Sequence, residues 1–231
     1  MKVSLTKGQS VSLKKSANDL SKVTIGLGWD VAETFKMVEH VVERKKAGLG
    51  GLLGGTEKIV ESVRVEDVYD LDVCAFLCGP EGKVALGRDP NGNETLVGGD
   101  VIFFNSMAHS SGQIVLTGDN RTGAGDGDDE QIEANLNDLP EHYSKIVFLV
   151  QIYKGIANQQ NFGQVKNAYI RAVDGNGQEM ARFDLSGGAG FENCRSLLFA
   201  ELLREQGGWK FAAIGQPSPL DSFVEWLKQY R

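Results

Sequence analysis

Short apolar or alternating runs, each bounded by turn residues, recur along most of this chain. Patterns of this kind at 2–6 and 23–29 lie between Gly, Asn and Ser and predict strands. From residue 60 strand follows strand, at 63–65, 71–78, 83–87, 101–105, 114–117, 130–136, 145–153, 166–173 and 178–185. Glu81-Gly82, Pro90-Asn91-Gly92, Ser111-Gly112 and Asp174-Gly175-Asn176-Gly177 supply the reversals between them. Many short strands at such spacing predict an all-β chain folded as a β-sandwich. The apolar run from Arg195 to Arg204 fits a helix or a buried strand, and Gln206-Gly207-Gly208 before Trp209-Lys210-Phe211 favours a hairpin.

Three stretches predict helix. Val31, Phe35, Val38 and Val42 recur at i, i+4, i+7 and i+11, a stripe that ends at the basic run Arg44-Lys45-Lys46 and at Gly48. Leu139-Pro140-Glu141 marks a short helical turn. Ser218-Pro219 opens a C-terminal helix over 218–231, with Leu220, Phe223, Val224 and Leu227 on one face and the sandwich beneath it. Between the first helix and the strands, Gly48-Leu49-Gly50-Gly51-Leu52-Leu53-Gly54-Gly55 is too glycine-rich for a regular element and too apolar for an ordinary linker. A mobile loop is the plain expectation, and a contact for a partner protein or a membrane surface through Leu49, Leu52 and Leu53 in the 48–55 loop is the sharper one.

With 231 residues and 41% hydrophobic content the chain suits one soluble domain with decorations. A net charge of −7 and a pI near 5.1 argue against nucleic acid, whose phosphates need clustered Lys and Arg. The N-terminus lacks an apolar signal-like run and no stretch is long enough to span a membrane, so a cytoplasmic location is expected. Cys74, Cys78 and Cys194 match no zinc spacing and are expected as buried thiols.

The chemistry concentrates in one place. Thr117 to Glu130 reads Thr-Gly-Asp-Asn-Arg-Thr-Gly-Ala-Gly-Asp-Gly-Asp-Asp-Glu. Glycines let the backbone turn sharply, so that Asp119, Asn120, Asp126, Asp128, Asp129 and Glu130 can aim oxygens at one point, as a hard divalent cation such as calcium requires. A solvated acidic loop is the alternative. The stretch is not an EF-hand loop, because a register starting at Asp126 places Gln131 and Asn137 where glycine and glutamate are needed. Asp70-Leu71-Asp72 puts two further carboxylates on one side of an extended segment, Asp30 ends the pattern at 23–29, and Asn105 offers an amide oxygen after Val101-Ile102-Phe103-Phe104. Arg121 is expected to neutralise surplus carboxylate or brace the loop. The amides of Gln160, Asn161, Gln164 and Asn167 are expected to brace it too, with recognition of a ligand as the alternative. Asp184 and Glu192, about Gly187-Gly188, make a lesser candidate site.

Two enzymatic signals are weaker. Asp70 and Asp72 have the spacing of the nucleophile motif of metal-dependent phosphoryl hydrolases and transferases, which need a parallel α/β sheet that this pattern does not predict. His109 stands beside Ser110 and Ser111, and polar side chains facing solvent are the expectation there.

The run at 117–130 resembles the signature of the TerD family of tellurium-resistance and general stress proteins. Gly26-Leu27-Gly28-Trp29-Asp30, Asp70-Leu71-Asp72-Val73-Cys74-Ala75-Phe76, Gln160 through Arg171, and Trp209 through Gly215 match in the same order. In the family Asp30 and the Asp-x-Asp piece lie close in sequence, so the resemblance implies a single domain over 1–231 with an insertion at about 31–69. It implies a non-enzymatic calcium-binding stress-response protein, a metal-responsive scaffold or sensor acting with other stress-response proteins. One or two calcium ions would be held by Asp30, Asp70, Asp72, Asn105, Asp119, Asn120, Asp126, Asp128, Asp129 and Glu130. A small-ligand module that binds cyclic nucleotides is also compatible with the resemblance. Cys74 departs from the small hydroxyl residue usual at its position, which speaks against a ligand role for that thiol.

Overall fold

Strands, numbered along the chain, form two facing sheets in the computed structural model, which describes residues 3–31, 35–45, 56–66, 69–117, 127–185 and 190–231. In the first six-stranded sheet the order is β1 (Ser4–Leu5), β14 (Glu179–Asp184), β13 (Val165–Val173), β3 (Val23–Val31), β11 (Glu130–Ala134) and β10 (Ile114–Thr117). In the second it is β2 (Ser10–Lys14), β16 (Gly208–Ser218), β15 (Ser196–Glu205), β12 (Lys145–Ile152), β6 (Leu71–Cys78) and β9 (Val101–Ile102). All neighbours pair antiparallel except β1 with β14. A minor hairpin joins β7 (Gly87–Arg88) to β8 (Glu94–Thr95). The all-β sandwich read from the pattern is the observed fold.

The second sheet is covered on both faces, which explains why its strands read as unbroken apolar runs. Every residue of β6 is buried. Leu71, Val73, Ala75 and Leu77 enter the core between the sheets, where they meet Ile25, Leu27 and Trp29 of β3. Cys74, Phe76 and Cys78 point the other way, against Phe223, Trp226, Leu227 and Tyr230. The C-terminal helix is confined to Phe223–Leu227 and does not begin at 218, because Ser218 still pairs with Ser196 in the sheet. Ser222 caps it by accepting from the Val224 N–H at 3.3 Å, and Gln151 Oε1 accepts from the Phe223 N–H at 2.7 Å. The ambiguous run at 195–204 is strand, paired with β16 as the hairpin expectation had it.

Other boundaries moved. Of 83–87 only Gly87 is in a strand, since the Val84 and Ala85 N–H groups bond Tyr230 and the Asp100 side chain instead of a neighbouring strand. The run at 101–105 stops at Ile102, where Phe103 and Ser106 exchange bonds in a tight turn. Strand β2, paired with β16, has no counterpart in the expected elements.

The chain divides into two compact units, Met1–Val31 with Tyr69–Arg231, and Ala32–Val68. In the second unit the described part of the expected helix, Phe35–Lys45, is a strand. Strand β4 (Phe35–Lys45) pairs antiparallel with β5 (Thr56–Glu66) as a two-stranded ribbon. A spacing of four is even, so Val38 and Val42 share a strand face as readily as a helix face. Directly opposite partners decide the matter: Val38 faces Val63, Val41 faces Val60 and Val42 faces Ile59. Such β-branched pairs stabilise a ladder and are mediocre helix formers. The Gly/Leu run at 48–55 lies outside the described residues. No helix among the described residues is long and apolar enough to cross a membrane.

Candidate metal centre

Strand β3 carries the motif Gly26-Leu27-Gly28-Trp29-Asp30 through the middle of the first sheet. Leu27 and Trp29 alternate into the core with Val23 and Ile25, which leaves Gly26 and Gly28 on the outer face. Both glycines are required by what lies over them. A Cβ on Gly26 would stand within 2.6 Å of the carboxylate atoms of Asp128, and one on Gly28 within 2.5 Å of ring and hydroxyl atoms of Tyr169. The bare stretch of β3 is the floor on which the end of the acidic segment rests.

Asp128 is held on that floor. Its Oδ1 accepts from Arg171 Nε at 2.8 Å and from the Tyr169 hydroxyl at 2.9 Å, and its Oδ2 accepts from an Arg171 terminal nitrogen at 3.1 Å. Only 2% of the side chain is accessible. Burial, and then the Asp128 charge, push the Tyr169 phenol up to about 12, and the Arg182 guanidinium stacks 3.6 Å from the centre of its ring.

The next two acids point elsewhere. Asp129 Oδ2 accepts from the Trp29 N–H at 2.9 Å, while its own N–H donates to the Leu27 carbonyl. Burial, helped by the neighbouring Asp30 and Asp128 charges, outweighs the Trp29 bond and raises the Asp129 carboxyl above its ordinary value. Glu130, 3% exposed, turns between the sheets, and its Oε2 accepts from the Val73 N–H at 2.5 Å. That N–H lies on the same edge of β6 as the Leu77 N–H, which bonds Asp100, but β9 stops at Ile102 and leaves the Val73 donor to the glutamate.

Asp30 closes β3. Its Oδ2 accepts from the Asn167 amide at 2.5 Å, and Asn167 adopts φ of 50° within an irregularity of β13 between Lys166 and Tyr169. Left-handed backbone of this kind is tolerated by asparagine, and the bulge aims its side chain at Asp30. Asp72 is buried on β6, with Oδ2 accepting from Gln151 Nε2 at 3.2 Å. Gln151 also caps the C-terminal helix, so Asp72 is wired to that helix through one amide. Burial and then the Asp72 and Glu130 charges raise the Cys74 thiol well above its ordinary value. Asp70 is half-buried just before β6, and its carbonyl accepts from the Tyr153 N–H. Asn105 is exposed in the turn after β9.

The structure therefore gathers Asp30, Asp128 and Asp129 at one end of β3, and Glu130 and Asp72 around β6. Among the described residues no group of three or more His, Cys, Asp or Glu is close enough to hold an ion by itself. Asp119, Asn120, Asp126 and Arg121 lie outside the described residues, in the segment that joins β10 to β11, whose ends are paired at Thr117 and Gln131. The described acids offer oxygen donors of the kind a hard cation takes, and the charges of Asp30 and Asp128 bear on Asp129. Arg171 compensates Asp128, the member it touches.

A second polar network escaped the sequence reading. His109, expected at the surface, is 5% exposed. Its Nδ1 lies 2.7 Å from Ser111 Oγ and accepts from the Ser111 N–H at 3.1 Å, so the proton sits on Nε2, 3.2 Å from Asp100 Oδ1. Asp100 also accepts from the Tyr143 hydroxyl at 2.6 Å and from the Ala85 N–H at 2.7 Å. Burial pushes its carboxyl up, but the His109, Tyr143 and Ala85 bonds together hold it below the ordinary value. Despite its serine–histidine–aspartate membership, this group works as a brace. Ser111 Oγ also accepts from the Gln113 N–H at 3.2 Å, which fixes the turn into β10. The three cysteines are buried free thiols, as expected.

The TerD domain family model matches residues 1–230. The chain belongs to the TerD family. It is 59% identical over 231 residues to tellurium resistance protein TerX of Serratia marcescens, with both chains covered in full. It is 37% identical to general stress protein 16U of Bacillus subtilis (strain 168), over 93% of this chain and 90% of that one. Among solved structures, a homologue of the telluride resistance protein TerD from Streptomyces coelicolor A3(2) shares the fold at a TM-score of 0.59 and 16% identity, covering 91% of this chain and 98% of that one. Membership places the chain among tellurium-resistance and general stress proteins, and these relatives are not named as enzymes.

Proposed function

We propose that this TerD-family chain is a non-enzymatic calcium-binding stress-response protein, a metal-responsive scaffold or sensor. The observation that carries the reading is the bonding of Asp128, Asp129 and Glu130, where the oxygen-rich segment enters β11, to three different strands beside Asp30 and Asp72. Asp129 is held above its ordinary pKa by burial and by Asp30 and Asp128, while Asp72 and Glu130 bear together on Cys74. Two carboxylates about 4 Å apart repel by roughly 4 kcal/mol at an effective dielectric near 20.

Bound calcium supplies the divalent charge that relieves this repulsion. The chain's own residues do the rest. Asp128, Asp129 and Glu130 fasten the segment to β13, β3 and β6, and Asp119, Asn120 and Asp126 bring the oxygens that complete the shell with Asp30, Asp70, Asp72 or Asn105. A carboxylate that accepts an N–H bond on one oxygen keeps acceptor capacity on the other, so anchoring and ligation are compatible. Binding then stabilises the sandwich, by about 2.7 kcal/mol at a hundredfold excess over Kd.

Calorimetric titration of chelator-treated protein tests this. Calcium is expected to bind in preference to magnesium and to raise the melting temperature, and Asp126→Asn is expected to weaken both effects. Absence of binding heat together with an unchanged melting temperature refutes the reading.

A further inference from the structure

Among the described residues β4 and β5 form a sheet of two strands, and one face of this ribbon carries an exposed apolar strip. Side chains alternate, so Met37, Val41 and Glu43 of β4 share one face with Lys58, Val60 and Arg64 of β5. On this face Met37, Val41 and Val60 are 62%, 63% and 58% exposed. On the opposite face Val38, Val42, Ile59 and Val65 are half-buried, and Val63 is 44% exposed. A lone two-stranded ribbon is marginally stable in water, and an exposed apolar strip with charged flanks is the usual form of a contact surface.

In the middle of this face the acids Glu39 and Glu43 are on β4 and the bases Lys58 and Arg64 are on β5, while at its ends Lys45 of β4 lies opposite Thr56 and Glu66 of β5 opposite Phe35. Glu43 and Lys58 lie opposite each other at 3.9 Å and remain 61% and 73% exposed, so each keeps room for another partner. A face whose central acids on one strand oppose bases on the other, about an apolar middle, is self-complementary about a two-fold axis that runs along the ribbon between two stacked copies. That operation lays β4 of one copy over β5 of the other at the same level. Val41 then stacks on the second copy's Val60, Glu43 on its Lys58, Glu39 on its Ser62 and Met37 along the stem of its Arg64. No like charges meet. A two-fold axis across the strands, centred on Val41, would instead set Glu39 against Glu43.

We infer that this ribbon face is a homodimer interface, with a second copy of the chain as its occupant. The inference is independent of the calcium reading, since it uses none of the acidic-segment residues.

Sedimentation velocity of the full-length protein over a concentration series tests it, using Glu43→Lys and Lys58→Glu separately and mixed. Wild type is expected to pass from monomer to dimer with rising concentration. Each single variant sets like charges in both symmetry-related contacts and is expected to dimerise about tenfold more weakly. The equimolar mixture regains the wild-type constant, because every intermolecular contact is again between opposite charges, although the pair within each chain stays broken. Val60→Thr keeps the β-branch while removing apolar surface, and is expected to weaken association about threefold. Wild type that stays monomeric throughout, single variants that associate as wild type does, or a mixture no stronger than its parts overturns the assignment.

Discussion

Gly26→Ala is the sharpest test of how the acidic segment is fastened. The added methyl would fall within 2.6 Å of the carboxylate atoms of Asp128, and it faces the Asp128 side chain, which is free to move only by giving up its partners. Expulsion forfeits the bonds to Arg171 at 2.8 and 3.1 Å and to Tyr169 at 2.9 Å. Hydrogen bonds to charged groups contribute about 1.5–3 kcal/mol. Arg171 is 29% exposed and keeps Glu179 at 3.4 Å, and the expelled carboxylate reaches water, so the lower half of that range applies, about 2 kcal/mol. Replacing glycine inside a strand returns about 0.5–1 kcal/mol, leaving a net cost of roughly 1–1.5 kcal/mol. Asp128→Ala alone forfeits the same bonds, about 2 kcal/mol. In the double variant the three atoms nearest the methyl are gone, so the clash is relieved and its benefit remains. The pair should therefore fall short of additivity by about 2 kcal/mol. Urea unfolding in excess chelator measures this without interference from ions. Additive costs would show that Asp128 does not occupy the space over Gly26, and the account of the floor would fail.

Two further outcomes follow from the buried carboxylates. Glu130→Ala strands the Val73 N–H between the sheets and should cost about 2–3 kcal/mol, with faster amide exchange at Val73; native protection there would refute the bridge. Asp100 has its folded pKa depressed, so its contribution is complete above the unfolded value near ~3.9 and is lost as the pH falls through the folded value. Wild type should lose stability relative to Asp100→Asn across that acid window, and a difference independent of pH would contradict it.

What was legible in the sequence depended on how many constraints acted on a residue at once. Strands β6 and β10 were delimited to the residue, because Leu71–Cys78 is an unbroken apolar run and Ile114–Thr117 follows a glycine turn. The helix expected from the stripe at Val31, Phe35, Val38 and Val42 fails because Val38 and Val42, four apart, share a face in either period, and the deciding partners Ile59, Val60 and Val63 lie in a strand about twenty residues away. The motif at Gly26 to Asp30 was visible as letters. Its reason was not, since Asp128 and Tyr169 come to lie over those glycines from β11 and β13. For the same cause His109 looked like surface: Asp100 and Tyr143 reach it only through the fold. Glu130 looked like one more ligand in a run of acids, and only the early end of β9 gives it a backbone donor to satisfy.

Three consecutive acids thus leave the backbone in three directions. Asp128 goes to the outer face and an arginine, Asp129 to a main-chain donor on β3, and Glu130 into the core edge and a donor on the other sheet. Each is tied to a different strand, so this short stretch orients the oxygen-rich segment relative to both sheets before any ion is considered. It follows that loss of calcium binding on substitution at 128, 129 or 130 cannot distinguish a ligand from a fastening, because either role predicts it. The chelated protein separates them. A residue that only ligates contributes repulsion when the ion is absent, so neutralising it leaves stability unchanged or raises it, whereas a fastening lowers stability with or without calcium. By that criterion the bonds place Asp128 and Glu130 with the fastenings, and the ligands proper are to be sought first at Asp119, Asn120 and Asp126.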